Sequence, residues 1–557
     1  MTEPHVSPSL AVQTASREAD RLGIIVRGSL SRGLELKLDP GVSLESMRAG
    51  MFAIAAGEQY DFFSLVTDLE LTATHPEALD APPPAPGSLL RHVLIGDSIF
   101  ARAVLRPHLM VDRLEENPAD ALQPVKTIPA HFTEVRRASA TDVDRVFGSE
   151  AGSPRHFRIG APLEMEEIPL CVDLGRFAER SNGIFGKSGT GKTFLTRLLL
   201  AGLVQTGAAV NLIFDMHGEY GWQGTDESRA GGVTKGLQQL FPDRVQVFTL
   251  DPRPSRRFDG EIRIPHTLLE PEDILGLHRV LALTPTAAEN SYMLQRRFGK
   301  NWFGQVLDMD AREVAAEEQA HEGAMLALRR KLVTLQKRCE GFLVPAGKQL
   351  DDAIPRIIKN LETGIHTVID FGRYSDLVHY ILVANLLTRR IEEHWRELSE
   401  KYQSRPDQGG RPRQLVITVE EAHKFLEPGI ADQTTFGRIA RELRKYSVTL
   451  LVVDQRPSQI EPEVLSQLGT KICCLLDDES DVNAVLAGTA SGSGLRSVLA
   501  GLDTRQQALL FGHALPMPVV VRTRSYDETF WRDLGVRDEE ERRAQTRERS
   551  RRLFPQD

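Results

Sequence analysis

The sequence predicts an α/β protein with a mainly parallel sheet, and three observations predict it. From about residue 181 onward, short apolar runs alternate with helix-patterned segments, the signature of parallel strands covered on both faces. At one of those junctions, Gly186-Lys187-Ser188-Gly189-Thr190-Gly191-Lys192-Thr193 stands between the apolar run Gly183-Ile184-Phe185 and the helix-like Phe194-Leu195-Thr196-Arg197-Leu198-Leu199-Leu200. That is a complete phosphate-binding P-loop in a strand-loop-helix setting, so the core is expected to be a P-loop NTPase of the RecA-like kind. The alternation fails in two places, a glycine-punctuated β-rich start and a later stretch of helix formers. These predict a small amino-terminal β-barrel and an inserted helical bundle.

The elements follow in order. Runs at 23–30, 34–38, 51–55 and 63–67 read as short barrel strands. A stiff Pro-rich loop at 82–87 and further strand-like patterning at 92–96 and 101–109 come next, and a capped helical turn at 140–148 closes this region, so residues 1–150 are assigned to the barrel. The ATPase core begins at 151–265, with strands expected at 181–185, 210–214 and 245–250. It is interrupted by the helical insertion at 266–354 and resumes at 355–530, with strands at 367–370, 415–419, 450–453, 471–476, 508–511 and 519–521. Residues 531–557 mix both charge signs densely and read as an exposed helix or tail.

A chain of 557 residues is too long for one core, and 41% hydrophobic with 26% charged residues describes a folded globular protein. The net charge of −9 argues against a surface coated in basic residues, yet a channel needs only its lining to be positive. Cys171, Cys339, Cys473 and Cys474 form no C-x-x-C pair and read as buried thiols. Met1-Thr2-Glu3-Pro4-His5 lacks the layout of a signal peptide and no apolar run reaches membrane-spanning length, so a cytoplasmic protein without a membrane segment is expected.

The chemistry gathers on a few segments. Glycines let successive backbone N–H groups of Gly186 to Thr193 face phosphates; Lys192 reaches the β- and γ-phosphates, and the Thr193 hydroxyl ligates Mg²⁺, so ATP and Mg²⁺ are the expected cofactors. The strand 415–419 ends in Glu420 and Glu421, where the first acid can hold the Mg²⁺ shell and the second can act as general base. Such segments more often begin with aspartate, so Glu420 sets its carboxylate one methylene further out. Asp215, His217 and Glu219 follow another apolar strand, either facing the same phosphate crevice or forming a loop capped by the aspartate. Arg438, Arg441 and Lys445 share one helical face; Arg441 and Arg444 are candidates to enter a neighbouring subunit's site, the alternative being a solvated face. Gln455 either reaches the γ-phosphate or attacking water, or is a satisfied strand end.

Together these segments resemble the HerA family of hexameric DNA-translocating ATPases, within the wider HerA-FtsK group. The matches are GKSGTGKT from Gly186 to Thr193, D-x-HGEY from Asp215 to Tyr220, EEAHKF from Glu420 to Phe425, RELRKY from Arg441 to Tyr446 and DQRPS from Asp454 to Ser458, with the barrel-like GIIVRGSLSRGLEL upstream. The resemblance implies a homo-hexameric ring with ATP at subunit interfaces and double-stranded DNA in the central channel. It also implies a partner docked on the barrel face, often a NurA-like nuclease acting in DNA-end resection. By position, Arg180 matches an arginine that approaches the nucleotide in cis. Relatives of this kind also pair with nucleases or sirtuin-type NAD hydrolases in anti-phage defence, where the ring acts as a scaffold that regulates an effector. No nuclease constellation is present in the chain itself, so cutting is expected to belong to another polypeptide.

Overall fold

Glycine-punctuated β-rich runs close into a barrel because each strand pairs on both sides. In the computed structural model, which describes residues 20–74, 99–115, 118–226, 232–253, 257–318, 320–345, 347, 353–404, 410–429, 431, 435–489 and 492–535, the barrel strands are Arg21–Ser29, Gly33–Leu38, Phe52–Ala56, Tyr60–Ala73, Ile99–Asp112 and Glu134–Arg137. Pairing of Gly33–Leu38 with Ile99–Asp112 joins the two ends of the sheet, and Leu122–Pro124 is added outside the ring. Closure leaves no free edge, and Leu34, Leu36, Ile54, Leu65, Val66 and Leu105 fill the interior. The helix Ala140–Phe147 follows, capped by Ser139, whose hydroxyl accepts from the Asp142 N–H while the Asp142 carboxylate accepts from the Ser139 N–H. The Pro-rich loop at 82–87, the strand-like run at 92–96 and the charged tail beyond residue 535 lie outside the described residues.

The chain forms two compact units, one comprising Met1–Asp173 with Thr470–Arg524 and the other Leu174–Gly469 with Ser525–Asp557. This differs from the expected boundaries at 150 and 530, because 470–524 groups with the barrel rather than with the ATPase core. Strand direction gives the reason. Thr470–Cys473, Gln507–Gly512, Val519–Thr523, His156–Pro162 and Leu170–Asp173 pair antiparallel in that order. The connection 513–518 is too short for the crossover that a parallel partner needs.

The second unit carries the parallel sheet, in the order Gly260–Glu261, Val245–Thr249, His366–Asp370, Val210–Asp215, Leu415–Glu420, Val448–Asp454, Asn182–Phe185. Its central strands are buried along their whole length, which is why they read as continuous apolar runs rather than alternating ones. The long helix Leu377–Ser404 belongs to this unit, as do Lys192–Thr206 and Thr435–Glu442. The insertion supplies the helices Pro285–Phe298, Trp302–Asp308, Ala311–Glu317 and Glu322–Arg338. Its two ends are clasped where Ile264–Pro265 pairs with Leu343–Val344. An ion pair between Arg389 and the buried Asp273, at 2.7 Å, ties the start of the insertion to the long helix. All four cysteines are buried, and none is joined in a disulfide. Among the described residues, no helix is long and apolar enough to cross a membrane.

Candidate active site

Parallel register brings the conspicuous residues to one edge of the sheet. Phe185 stands opposite Asp454, Glu420 opposite Val453 and Phe214 opposite Val419. The P-loop, Asp454, Glu420 and Asp215 therefore all emerge at the carboxyl ends of neighbouring strands, where open α/β sheets bind their ligands. The P-loop strand is separated from the Glu420 strand by the Asp454 strand, and the Gly186 N–H donates to the Asp454 carbonyl at 3.3 Å.

Within the loop, Gly189 and Gly191 have φ of 78° and 95°, left-handed backbone that suits glycine. Gly191 is the N-cap of Lys192–Thr206, so the positive end of a four-turn helix faces the loop. The Lys192 ammonium donates to the Lys187 carbonyl at 2.9 Å, and the Thr190 hydroxyl donates to the same oxygen at 2.7 Å. Lys187, Ser188 and Gly189 form the exposed tip, and Thr193 is half-buried in the first helical turn.

Glu420 is buried, and its Oε1 accepts a hydrogen bond from the Tyr220 hydroxyl at 2.5 Å. Its Oε2 is also buried and has no hydrogen-bond partner. Burial, with the Asp215 carboxylate nearby, pushes the Glu420 acid up to about 8, against the opposing pull of the tyrosine hydrogen bond. A buried carboxylate oxygen left without a donor, at the same sheet edge as the P-loop whose helix carries Thr193 in its first turn, fits a hard cation that prefers oxygen ligands. Among the described residues no group of three or more His, Cys, Asp or Glu side chains could hold a metal.

Asp215 accepts from the backbone N–H groups of Glu219 (2.8 Å), Tyr220 (2.8 Å) and Gly221 (3.1 Å). Both its oxygens thus shape the turn that delivers Glu219 and Tyr220, while His217 is exposed and Glu219 half-buried on that turn. Arg197, buried on the P-loop helix, holds the same turn from the other side. Its Nε donates to the Glu219 carbonyl and its Nη1 to the Thr234 hydroxyl, both at 2.9 Å.

Glu421 has φ of 46°, which swings its half-buried side chain away from the strand direction. Its Oε2 accepts from Gln455 Nε2 at 3.4 Å and lies 3.7 Å from His423 Nδ1. The structure thus brings Gln455 to the candidate base. Asp454, fully buried, accepts from the His423 backbone N–H at 2.6 Å, from His423 Nδ1 at 2.9 Å and from the Arg456 N–H at 2.6 Å. The Asp454 carboxylate holds the His423 imidazole above its ordinary pKa.

Other expected residues lie apart from this cluster. Arg180 precedes the amino end of Asn182–Phe185, whereas the P-loop leaves the carboxyl end, so the structure does not bring Arg180 to the P-loop of its own subunit. Arg438 pairs with the buried Glu392 at 2.6 Å and Arg441 with Glu463 at 3.3 Å. Arg444 is exposed and its side chain has no partner among the described residues. Tyr220, Arg197 and the His423–Asp454 pair had not been assigned roles from sequence. A buried tyrosine needs a polar partner, but only the fold shows that partner to be an acid 200 residues away.

The family model described as "Helicase HerA, central domain" matches residues 157–391. The DNA double-strand break repair helicase HerA of Pyrococcus furiosus is 23% identical over 444 residues, covering 71% of this chain and 73% of that protein. The proteins of the same name from Saccharolobus solfataricus and Sulfolobus acidocaldarius are 24% and 26% identical, covering 71% and 72% of this chain and 73% and 74% of their own lengths. Among solved structures, VirB4 of Thermoanaerobacter pseudethanolicus aligns with a TM-score of 0.41 and 15% identity, covering 66% of this chain and 96% of its own. With the P-loop and the paired acids at one sheet edge, the chain is similar to the HerA helicases over most of its length, and its residues 157–391 match the central domain of that family.

Proposed function

We propose that this chain is the ATPase subunit of a hexameric ring that translocates on double-stranded DNA and works with a partner nuclease in DNA end processing. The observation that carries the reading is the convergence of Lys192, Glu420, Glu421 and Gln455 at one sheet edge. It occurs in a chain whose relatives, aligned over 71% of its length, are named DNA double-strand break repair helicases.

In this reading, P-loop N–H groups and Lys192 bind the β- and γ-phosphates of ATP. Mg²⁺, when bound with ATP, supplies positive charge across those phosphates, and Thr193 and Glu420 are the residues that would hold it. Glu421 takes the proton of the attacking water, and Gln455 fixes the orientation of its carboxylate. An arginine from the next subunit, Arg444 or Arg441, neutralises charge on the transferring phosphoryl group. The docking of a nuclease on the barrel rests on the family resemblance.

The test is steady-state ATP hydrolysis with and without linear double-stranded DNA, with Lys192→Ala as the blank. Strong stimulation by duplex DNA supports the translocase. Hydrolysis that ignores DNA, with or without an added nuclease partner, overturns it in favour of a ring that holds and regulates an effector.

A further inference from the structure

Glu420 is a long, buried acid in a position that must be defined to a fraction of an ångström. A glutamate has one more rotatable bond than an aspartate, and a cation site cannot tolerate a carboxylate that samples several positions. In this chain the two oxygens are unequal. Oε1 accepts from the Tyr220 hydroxyl at 2.5 Å, whereas Oε2, equally buried, has no hydrogen-bond partner.

Tyr220 is itself immobilised. Its side chain is fully buried, its backbone N–H donates to Asp215 Oδ2 at 2.8 Å, and the carbonyl of the preceding Glu219 is held at 2.9 Å by Arg197 of the P-loop helix. The hydroxyl's position is therefore set by the strand Val210–Asp215 on one side and by the helix that begins at Lys192 on the other. A phenol fixed in this way can take one oxygen of Glu420 and leave the second to face the cation.

We propose that Tyr220 is a positioning residue for the cation site, its hydroxyl occupying Oε1 of Glu420 so that Oε2 alone is presented to the Mg²⁺ that accompanies ATP. The proposal rests on the ATPase reading of this site. It also accounts for the glutamate, since the additional methylene is what lets the carboxylate meet the tyrosine hydroxyl with one oxygen and the cation with the other. A purely space-filling role for Tyr220 would be served equally well by phenylalanine.

The experiment uses the full-length protein and a fluorescent ADP analogue, titrated in EDTA and then at increasing Mg²⁺, with Mn²⁺ binding followed by electron paramagnetic resonance as a direct readout of the metal. In Tyr220→Phe, affinity in EDTA stays near that of the unmodified protein, while the Mg²⁺ and Mn²⁺ needed for half-saturation rise about 10- to 100-fold, the range seen when a group that orients a metal ligand is lost. A metal requirement equal to that of the unmodified protein overturns the proposal. So does a parallel loss of affinity in EDTA, which would make Tyr220 a packing residue. Glu420→Asp supplies a second arm, because the shorter acid cannot meet both partners. Adding Tyr220→Phe to it is expected to shift the metal requirement little, and a full additional shift overturns the proposal. An unmodified protein that binds no ADP, or gains nothing from Mg²⁺, sinks the ATPase reading itself, whereas a silent Tyr220→Phe beside a Mg²⁺-responsive unmodified protein sinks the positioning role alone.

Discussion

His423 and Asp454 bridge the ends of two adjacent parallel strands. The His423 backbone N–H and Nδ1 both donate to Asp454 Oδ2, at 2.6 and 2.9 Å, so the turn after Glu420 cannot move independently of the strand beside the P-loop. That turn carries Glu421, and Gln455 follows Asp454 directly, so the candidate base and its amide partner share one anchor. Asp454→Ala is therefore expected to lower kcat about 10- to 100-fold with little change in nucleotide affinity. Removing a fully buried carboxylate that accepts three donors is also expected to cost about 3–5 kcal/mol of stability. Hydrolysis, analogue binding and denaturant unfolding of the variant measure the three quantities separately.

The same pair makes part of the stability pH-dependent. The Asp454 hydrogen bond raises the folded-state pKa of His423 above the unfolded value of about 6.5. The contribution is then complete below about pH 6.5 and is lost as pH rises through the folded-state value. His423→Gln should lie furthest below the unmodified protein in denaturant midpoint near pH 6, and the gap should narrow by pH 9. A gap that widens toward alkaline pH would show that the imidazole is bound neutral.

Glu421 owes its placement to a left-handed backbone at φ of 46°, unusual for a glutamate, and to the Gln455 amide at 3.4 Å. If it is the general base, Glu421→Gln should reduce single-turnover hydrolysis by about 10²- to 10⁴-fold while ATP still binds and remains uncleaved. Rapid-quench measurement on pre-bound ATP checks this, and turnover close to that of the unmodified protein would transfer the role elsewhere. Gln455→Ala should have a smaller effect in the same assay, since it orients the carboxylate and does not take the proton.

The P-loop was legible from sequence because its glycines, lysine and threonine have to be consecutive, and Glu420 and Glu421 because an apolar strand ends in two acids. The parallel core was legible because its central strands are apolar throughout. What was not legible depends on partners distant in sequence. The Tyr220–Glu420 hydrogen bond spans 200 positions and the Arg197–Thr234 bond joins a helix to a hairpin. Strand direction was hidden too, because the buried strand Gln507–Gly512 reads as an apolar run like the parallel strands, and only its short connection to Val519–Thr523 forces that pair antiparallel. Arg180 was expected near the nucleotide only from its positional match to the resembling family, and the strand Asn182–Phe185 lies between it and the P-loop.

His366 offers a test of the core itself. It is buried at the start of its strand, its Nδ1 accepts from the Asn211 N–H at 3.1 Å, and burial pushes its pKa down to about 3. Between about pH 6.5 and about pH 3 the unfolded chain therefore binds a proton that the folded chain does not, so stability falls as pH falls, by about 1.4 kcal/mol per pH unit for this one group. His366→Asn, which keeps an acceptor for Asn211, should flatten the acid limb of a plot of stability against pH. An unchanged limb would mean that the imidazole already takes up its proton in the folded state.

The arginines after Thr435 differ in what they are free to do. Arg438 is held by the buried Glu392, which Arg396 also grips at 2.5 Å, and Arg441 is paired with Glu463. Arg444 sits on the short turn Leu443–Tyr446 with its side chain exposed, and no described residue engages it. An arginine that serves a neighbouring subunit has to be available to it, which makes Arg444 the better candidate of the two. Arg444→Ala should leave folding and nucleotide affinity unchanged and lower kcat about 10³-fold or more. Mixing it with Lys192→Ala, itself inactive, should restore activity, because some interfaces then combine an intact P-loop from one chain with an intact Arg444 from the other. Arg441→Ala is expected to lower stability by no more than about 1 kcal/mol, the worth of an exposed ion pair, and kcat only modestly. No recovery on mixing, with Arg441→Ala as the more damaging variant, would reverse the assignment.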